Sequence, residues 1–107
     1  MAENASDEGH KALARLRLSS VLMEEKAYDE ALKQLSVTVP IEYAALVADR
    51  KGDVLILQGK TKEAAEEYQR AWGAFQETSE YRRFVEIKLN ALGVQVKNQT
   101  AAAGVAK

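Results

Sequence analysis

The clearest pattern in this chain is the stretch Gly59-Lys60-Thr61-Lys62-Glu63-Ala64-Ala65-Glu66-Glu67-Tyr68. It repeats the pattern of Lys26–Leu35, which reads Lys-Ala-Tyr-Asp-Glu-Ala-Leu-Lys-Gln-Leu, at a distance of 33 residues, so that Ala64 pairs with Ala31. Each segment follows an apolar stretch at helical spacing that ends in a short turn. A period close to about 34 residues, with a small residue early in the second helix, is typical of stacked helix hairpins.

We expect an all-α fold of two helix hairpins, followed by a solitary fifth helix that caps the stack. The predicted divisions are a flexible leader over residues 1–9, a helical domain over residues 10–95 and a disordered tail over residues 96–107. The first helix is predicted to begin at a cap formed by Ser6 or Asp7. The tail has almost nothing large to bury, which is why we predict that it stays unfolded.

Glycines and small polar residues mark the other helix ends. Gly59 follows an apolar helical stretch and is predicted to end it in the left-handed conformation, and Gly93 is predicted to close the fifth helix. Thr61 is a candidate N-cap for the fourth helix, and Thr78 or Ser79 is one for the fifth. These signals separate the repeat into turns and helices of similar length.

Small residues are predicted where the helices cross. Ala31 and Ala64 let two backbones approach to about 8–10 Å. Gly52 in the third helix and Ser19 in the first have the same role on the facing side, and Tyr68 is predicted to fill the space between layers. The alanines and the tyrosine are therefore predicted to be packing residues.

Composition excludes several classes of function. With 107 residues, of which 47% are hydrophobic and 29% charged, the chain can form one domain with one core. A net charge of −1 argues against nucleic-acid binding, which needs a basic surface. The absence of cysteine excludes disulfides and thiolate metal sites. No apolar run reaches the roughly 18 residues of a membrane span.

The chain shows no pattern of catalytic residues. His10 is the single histidine and has no predicted metal-ligand partner. Gly59-Lys60-Thr61 lacks the upstream glycine and the strand of a phosphate loop. Glu24 and Glu25 are neighbours on a helix and point in different directions. We therefore expect no enzyme activity, no cofactor and no metal.

Residues 52–71 resemble a tetratricopeptide repeat, which favours glycine, a large apolar residue, glycine, alanine, an aromatic residue and alanine at these offsets. The first hairpin departs further from that pattern, with Arg15 at the tryptophan-like position, Ser19 for the glycine and Lys26 for the turn glycine. The resemblance implies a stack of helix hairpins with a concave face, on which such repeats commonly hold another polypeptide.

Together with residues 14–18 and 87–93, the chain is similar to the C-terminal half of YfgM-like proteins, ancillary subunits of the bacterial Sec translocon. The resemblance covers roughly residues 10–95. It implies a longer parent held in the inner membrane by an N-terminal helix, with the repeats in the periplasm. It also implies the Sec translocon and periplasmic folding factors as partners. The anchor is absent from this sequence, so we expect this part to be soluble.

The resemblance also indicates a groove for protein or peptide segments, because the first helix of each hairpin lines the concave surface. Its predicted residues are Leu13, Leu16, Ser20, Met23, Leu46, Asp49, Asp53, Ile56 and Leu57. Two interpretations stay open for the apolar members Leu16, Leu46 and Ile56, which belong either to the groove or to the core. Met23 suits a groove because its thioether adapts to varied surfaces.

Three hypotheses for function follow. The first is a noncatalytic protein-binding module connected with secretion. The second is a generic tetratricopeptide oligomerisation or regulatory scaffold unrelated to secretion. The third is an enzyme or regulatory subunit that uses the groove for a small ligand. We also expect a homo-oligomer formed through the first two helices, because Leu18 and Leu22 would lie exposed on the outer face of the first hairpin.

Overall fold

The computed structural model describes residues 2–94, with side chains described from residue 7 onward. It contains α1 (Ala2–Glu24), α2 (Tyr28–Leu35), a short 3₁₀ turn (Ile41–Tyr43), α3 (Ala44–Leu57), α4 (Thr61–Ala74) and α5 (Glu80–Ala91). Residues 2–94 contain no strand, so the predicted all-α stack is confirmed. We call α1–α2 hairpin one and α3–α4 hairpin two. The predicted tail lies outside the described residues, and the division into leader, domain and tail stays a prediction.

Three helices of the chain end in the same way. After α1, α3 and α5 the backbone adopts the left-handed conformation at Lys26, Gly59 and Gly93, with φ of 62°, 81° and 84°. Glycine accepts this conformation without strain, whereas lysine does not. The two glycine caps predicted from the sequence are confirmed, and Lys26 occupies the equivalent position in hairpin one.

The closing hydrogen bonds recur at a regular interval. In each case a backbone N–H donates to the carbonyl five residues earlier, in the pairs Ala27 to Leu22 (2.8 Å), Lys60 to Leu55 (2.9 Å) and Val94 to Leu89 (2.9 Å). The accepting leucines lie 33 and then 34 residues apart. The position of α5 is therefore that of the first helix in a third repeat, which follows hairpin two without a described second helix.

Some predicted helix starts are confirmed and others are wrong. The Ser79 hydroxyl accepts a hydrogen bond from the backbone N–H of Tyr81 (3.2 Å), as expected of an N-cap. Thr61 is the first helical residue of α4 and not its cap, because the turn after α3 closes at Lys60 and the helix resumes at once. The first helix begins at Ala2, ahead of the predicted cap at Ser6 or Asp7.

The crossing of the helices depends on small residues, as the sequence predicts. Ala31 and Ala64 are wholly buried. A Cβ atom at Gly52 would overlap with the ring of Tyr68, so that only glycine allows this tyrosine to lie across α3. Ser19 is buried at the equivalent position of hairpin one, where its hydroxyl donates to the Leu16 carbonyl (2.7 Å).

Two apolar clusters form the core. One lies between hairpin one and α3 and consists of Leu16, Ala31, Leu35, Val47 and Val54. The other joins hairpin two to α5 and consists of Ala48, Leu55, Ala64, Tyr68, Ala71, Trp72, Val85 and Leu89. Because α3 contributes to both clusters, its position fixes α1 and α5 relative to each other and so shapes the face between them.

Candidate functional site

An open groove of about 630 Å³ lies where α1, α3 and α5 meet. These are the first helices of the three repeat positions, so the groove lies on the face that the repeat architecture predicts. Its lining residues are Ser20, Met23, Asp49, Arg50, Asp53, Tyr81, Phe84, Ile87 and Lys88. We use the term floor for the polar members and walls for the apolar and aromatic members.

A network of ion pairs crosses the floor from α5 to α3. The Lys88 ammonium lies 2.9 Å from Asp49 Oδ1 and 3.1 Å from Asp53 Oδ1, so one cation is shared by two carboxylates. From α4, the Tyr68 hydroxyl donates a hydrogen bond to Asp53 Oδ1 (2.6 Å). The third repeat position is therefore attached to hairpin two by charge as well as by apolar packing.

The second cation of the floor is held from the other side. Arg50 of α3 donates to the backbone carbonyl of Leu16 (3.4 Å) and to the hydroxyl of Ser20, both on α1. Ser20 also donates to the Leu16 carbonyl (3.3 Å). Each cation of the floor is thus engaged by protein acceptors, and the charges of two acids and two bases cancel.

Burial and the contacts within the floor shift the pKa values of these groups. Burial raises the pKa of Asp49 from its ordinary value, although the hydrogen bond and charge of Lys88 act in the opposite direction. For Lys88, burial alone would lower the pKa, but the hydrogen bond and charge of Asp49, together with Asp53, outweigh it and raise the pKa. Burial and the hydrogen bond to Asp53 raise the pKa of Tyr68 far above its usual range. Lys88 therefore stays cationic and Tyr68 neutral at physiological pH.

The walls are apolar and exposed. On α5, the side chains of Tyr81, Phe84 and Ile87 are 57%, 55% and 57% exposed and follow one another at intervals of three residues. Tyr81 stacks on Phe75 with 5.8 Å between ring centroids and meets Phe84 edge to face at 6.4 Å. From α1, Met23 lines the same groove, but it is partly buried and packs against the first core cluster. Clustered, solvent-exposed aromatic and aliphatic groups of this kind are typical of interaction surfaces.

Four of the nine predicted groove residues lie in this groove, and they are Ser20, Met23, Asp49 and Asp53. Leu16 is buried in the core, so the core interpretation holds for it. Leu46 and Ile56 are partly buried and pack against the two core clusters, also in agreement with that interpretation.

Two other predicted groove residues lie elsewhere. Leu13 lines a separate cavity beside Pro40 and Tyr43, because α1 crosses the chain between the hairpins at that level. Leu57 is 52% exposed near the end of α3 and lies outside the groove lining. The expectation that the first helix of each hairpin lines the groove identifies the correct helices. It does not specify which residues of those helices reach the groove, because this depends on how the helices pack.

The sequence interpretation missed Arg50 and the whole contribution of α5. It treated the fifth helix as a cap, so Tyr81, Phe84, Ile87 and Lys88 were not considered as groove residues. The available signal was the spacing of 34 residues between Gly59 and Gly93, which marks α5 as the first helix of a repeat. At this spacing, Phe84 and Ile87 occupy the repeat positions equivalent to those of Arg50 and Asp53.

The described part of the chain has neither a cluster of metal ligands nor a membrane span. Among residues 7–94, whose side chains the structure describes, no group of three or more histidine and acidic side chains comes close enough to hold a metal ion. Within the same range, no helix combines the length and the apolar composition that crossing a bilayer requires.

Comparison with known proteins agrees with this architecture. The model of the tetratricopeptide repeat-like domain matches residues 1–94 of the chain. The chain belongs to the tetratricopeptide repeat-like domain family. Its described helices form two complete hairpins followed by a helix at the first position of a third repeat.

The domain is also similar to curated bacterial proteins. A protein of Neisseria gonorrhoeae named ancillary SecYEG translocon subunit is 37% identical over 89 residues, which cover 83% of this chain and 43% of that protein. One of the same name from Escherichia coli strain K12 is 33% identical over 91 residues, covering 85% of this chain and 44% of the relative. The chain thus spans less than half the length of these relatives, and the predicted resemblance is confirmed. No solved structure matches this domain.

Proposed function

We propose that this tetratricopeptide repeat-like domain is a noncatalytic protein-interaction module that works with the Sec translocon. The observation that carries the proposal is the open groove, whose walls present Met23, Phe84 and Ile87 above a floor of paired charges. Tyrosine, phenylalanine and methionine are enriched at protein interfaces, where they contribute large contact areas. The names of the two curated relatives support the translocon as a partner.

The chemistry of the floor supports an adaptor rather than an enzyme. A general acid or base needs a titratable group that is free to exchange a proton with a substrate near neutral pH. Here Lys88 is shared by Asp49 and Asp53, and the pKa of Tyr68 is raised far out of that range by burial and by Asp53. The pairing of both acids with Lys88 therefore supports a role in binding.

The resemblance to translocon subunits also supports a location. By that resemblance, the parent protein sits in the bacterial inner membrane with this domain facing the periplasm, and periplasmic folding factors are further partners. A domain that stays close to the translocon exit could hold segments of emerging chains and pass them to such factors.

Site-specific photocrosslinking tests this function. A photoreactive amino acid replaces Met23 or Phe84 in the groove, and Ile41 on the exposed 3₁₀ turn serves as the control site. Each variant is illuminated with purified SecYEG translocon in membranes, with and without a stalled secretory chain. We expect adducts to SecYEG or to the emerging chain from the groove sites and few from position 41. Equal capture from all sites, or none from the groove, would exclude the proposal.

A second candidate role, homo-oligomerisation through hairpin one, is supported by the outer face of α1. Leu18 and Val21 are 42% and 49% exposed on this helix. Leu22 is only partly exposed and packs against the core, so it contributes less to such a face than the sequence predicts. A self-associating chain would sediment as a dimer at high concentration, and Leu18→Ser would return it to a monomer. Monomeric sedimentation of the unmodified chain at high concentration would exclude this second role.

A further inference from the structure

We propose that the groove accepts internal, uncharged apolar segments of a polypeptide and rejects a free terminal carboxylate. This inference rests on the proposed function and specifies its ligand. Its basis is the juxtaposition of the apolar walls on α1 and α5 with a floor whose positive charges are already engaged by protein groups. The floor thus selects against one class of peptide, while the walls attract another.

The engagement of the cations is the first step. The carboxylates of Asp49 and Asp53 already lie 2.9 and 3.1 Å from the Lys88 ammonium, so its positive charge is compensated before a ligand arrives. Arg50 already donates to α1, including the Leu16 carbonyl. A ligand carboxylate that displaced Asp49 or Asp53 from Lys88 would leave that partly buried acid without its cation, which is unfavourable.

The acids of the floor are the second step. Asp49 and Asp53 flank Lys88, so an anionic ligand that approached this cation would also approach two negative charges. Like charges brought together at an interface are a recognised source of specificity, because they exclude the wrong partner. A neutral segment is not subject to this repulsion, because it carries no net charge of its own.

The walls are the third step, and they determine what is accepted. Phe84 and Ile87 on α5 lie across the groove from Met23 on α1, and each is available to contact a bound side chain. Burial of apolar surface is favourable and depends little on direction, so it tolerates varied sequences. The flexible thioether of Met23 adds to this tolerance. The preferred ligand is therefore defined by its lack of charge and its apolar content, and not by one fixed motif.

A set of matched peptides tests this inference with the whole chain. The three probes share one leucine- and phenylalanine-rich sequence, each with an acetylated N-terminus that carries a fluorophore. They end in an amide, end in a free carboxylate, or carry one central glutamate and an amide. We expect the amide to bind at least about tenfold more tightly than either charged probe. Binding of the amide is expected to change little with salt, because screening acts only on charges.

Variants separate this inference from the function on which it rests. Phe84→Ser and Ile87→Ser should each weaken binding of the amide several-fold, while Ile41→Ser, the same kind of change on an exposed turn, should leave it unchanged. Asp49→Asn combined with Asp53→Asn releases Lys88, and this variant should bind the free carboxylate more tightly than the unmodified chain does. Circular dichroism checks that each variant is folded, and the unmodified chain alone decides the preference among the probes.

Each outcome has a distinct meaning. If none of the three peptides binds, the protein-binding function itself fails. If the free carboxylate or the central glutamate binds the unmodified chain as tightly as the amide, the inference is overturned and the binding function stands. Equal losses from Phe84→Ser and Ile41→Ser would also overturn it, because binding would then not involve the groove.

Discussion

Hairpin one and hairpin two follow the same backbone plan with different side chains. Both close their first helix with a left-handed residue, and both have a wholly buried alanine early in the second helix. At the crossing, hairpin one has Ser19 and Leu35, and hairpin two has Gly52 and Tyr68 at the equivalent positions. The comparison shows that the repeat specifies where a small and a large residue must meet, whereas their identities differ between the two copies.

The same comparison explains why the charged floor belongs to the second half of the molecule. Asp49 and Asp53 of α3 correspond to Leu16 and Ser20 of α1. Leu16 extends the core, and Ser20 accepts a hydrogen bond from Arg50. Hairpin one therefore contributes a neutral side to the groove, and the acids that bind the third repeat position come from hairpin two alone.

The largest expected difference between the hairpins concerns the two large residues at the crossing. Tyr68→Ala should lower the free energy of unfolding by about 3–5 kcal/mol, because it removes a buried aromatic ring and leaves a cavity above Gly52. Leu35→Ala should cost roughly 2–5 kcal/mol by the same mechanism, and less than the tyrosine change. Urea denaturation of both variants measures the difference. A larger loss at Leu35 than at Tyr68 would contradict this account.

The next largest effect is expected at the small residues of the two crossings, Gly52 and Ser19. Gly52→Ala should destabilise the chain by about 1–3 kcal/mol, because the added methyl group overlaps with the Tyr68 ring. Ser19→Ala serves as the matched change in hairpin one and should cost no more than about 1 kcal/mol, since it removes only a local hydrogen bond.

Combining Gly52→Ala with Tyr68→Ala sharpens this prediction. With the ring removed, the methyl group at position 52 has space and should no longer be destabilising. The difference between the sum of the single effects and the double effect is the coupling energy of the pair, measured by urea denaturation. Additive effects would show that the overlap with Tyr68 is not the cause.

A smaller effect is expected at the turns. Lys26→Gly should raise the stability by about 1 kcal/mol, because relief of the left-handed strain exceeds the entropy that glycine adds to the unfolded chain. Gly59→Lys, the reverse change in hairpin two, should lower the stability by a similar amount. Thermal unfolding of the two variants provides the measurement. Shifts of the same sign in both would mean that the two turns are not equivalent.

The smallest effect depends on pH and occurs only on the side of hairpin two. The acids raise the pKa of Lys88 above its ordinary 10.5, so its ion pairs stabilise the fold fully below that pH. The contribution is lost as the pH rises through the higher value in the folded state. The stability difference between the unmodified chain and Lys88→Gln should therefore shrink above pH 10.5.

The matched control for this effect is Lys62→Gln, because Lys62 is an exposed residue of α4. Its stability difference from the unmodified chain should stay constant over the same range. A Lys88→Gln difference that is independent of pH would show that Lys88 contributes through packing and not through its charge.

The helical class, the two hairpins and the residues at their crossings could all be predicted from the sequence. It could do so because the signals are local or recur at a fixed interval. Glycine is favoured wherever φ is positive, and alanine permits close approach at the same place in each copy. The sequence therefore predicts the roles of Gly59, Gly93, Ala31 and Ala64.

Which of the outward-facing residues form the groove depends on how the helices pack, and this could not be predicted from the sequence. The face of a helix can be read from its sequence, but its tilt against the neighbouring helices depends on how all side chains pack together. Leu16 thus lies in the core and Leu13 beside another cavity, although both share a helix with Ser20 and Met23. The attachment of Lys88 to Asp49 and Asp53 joins residues more than 30 positions apart, and no periodicity in the sequence indicates which charges will meet.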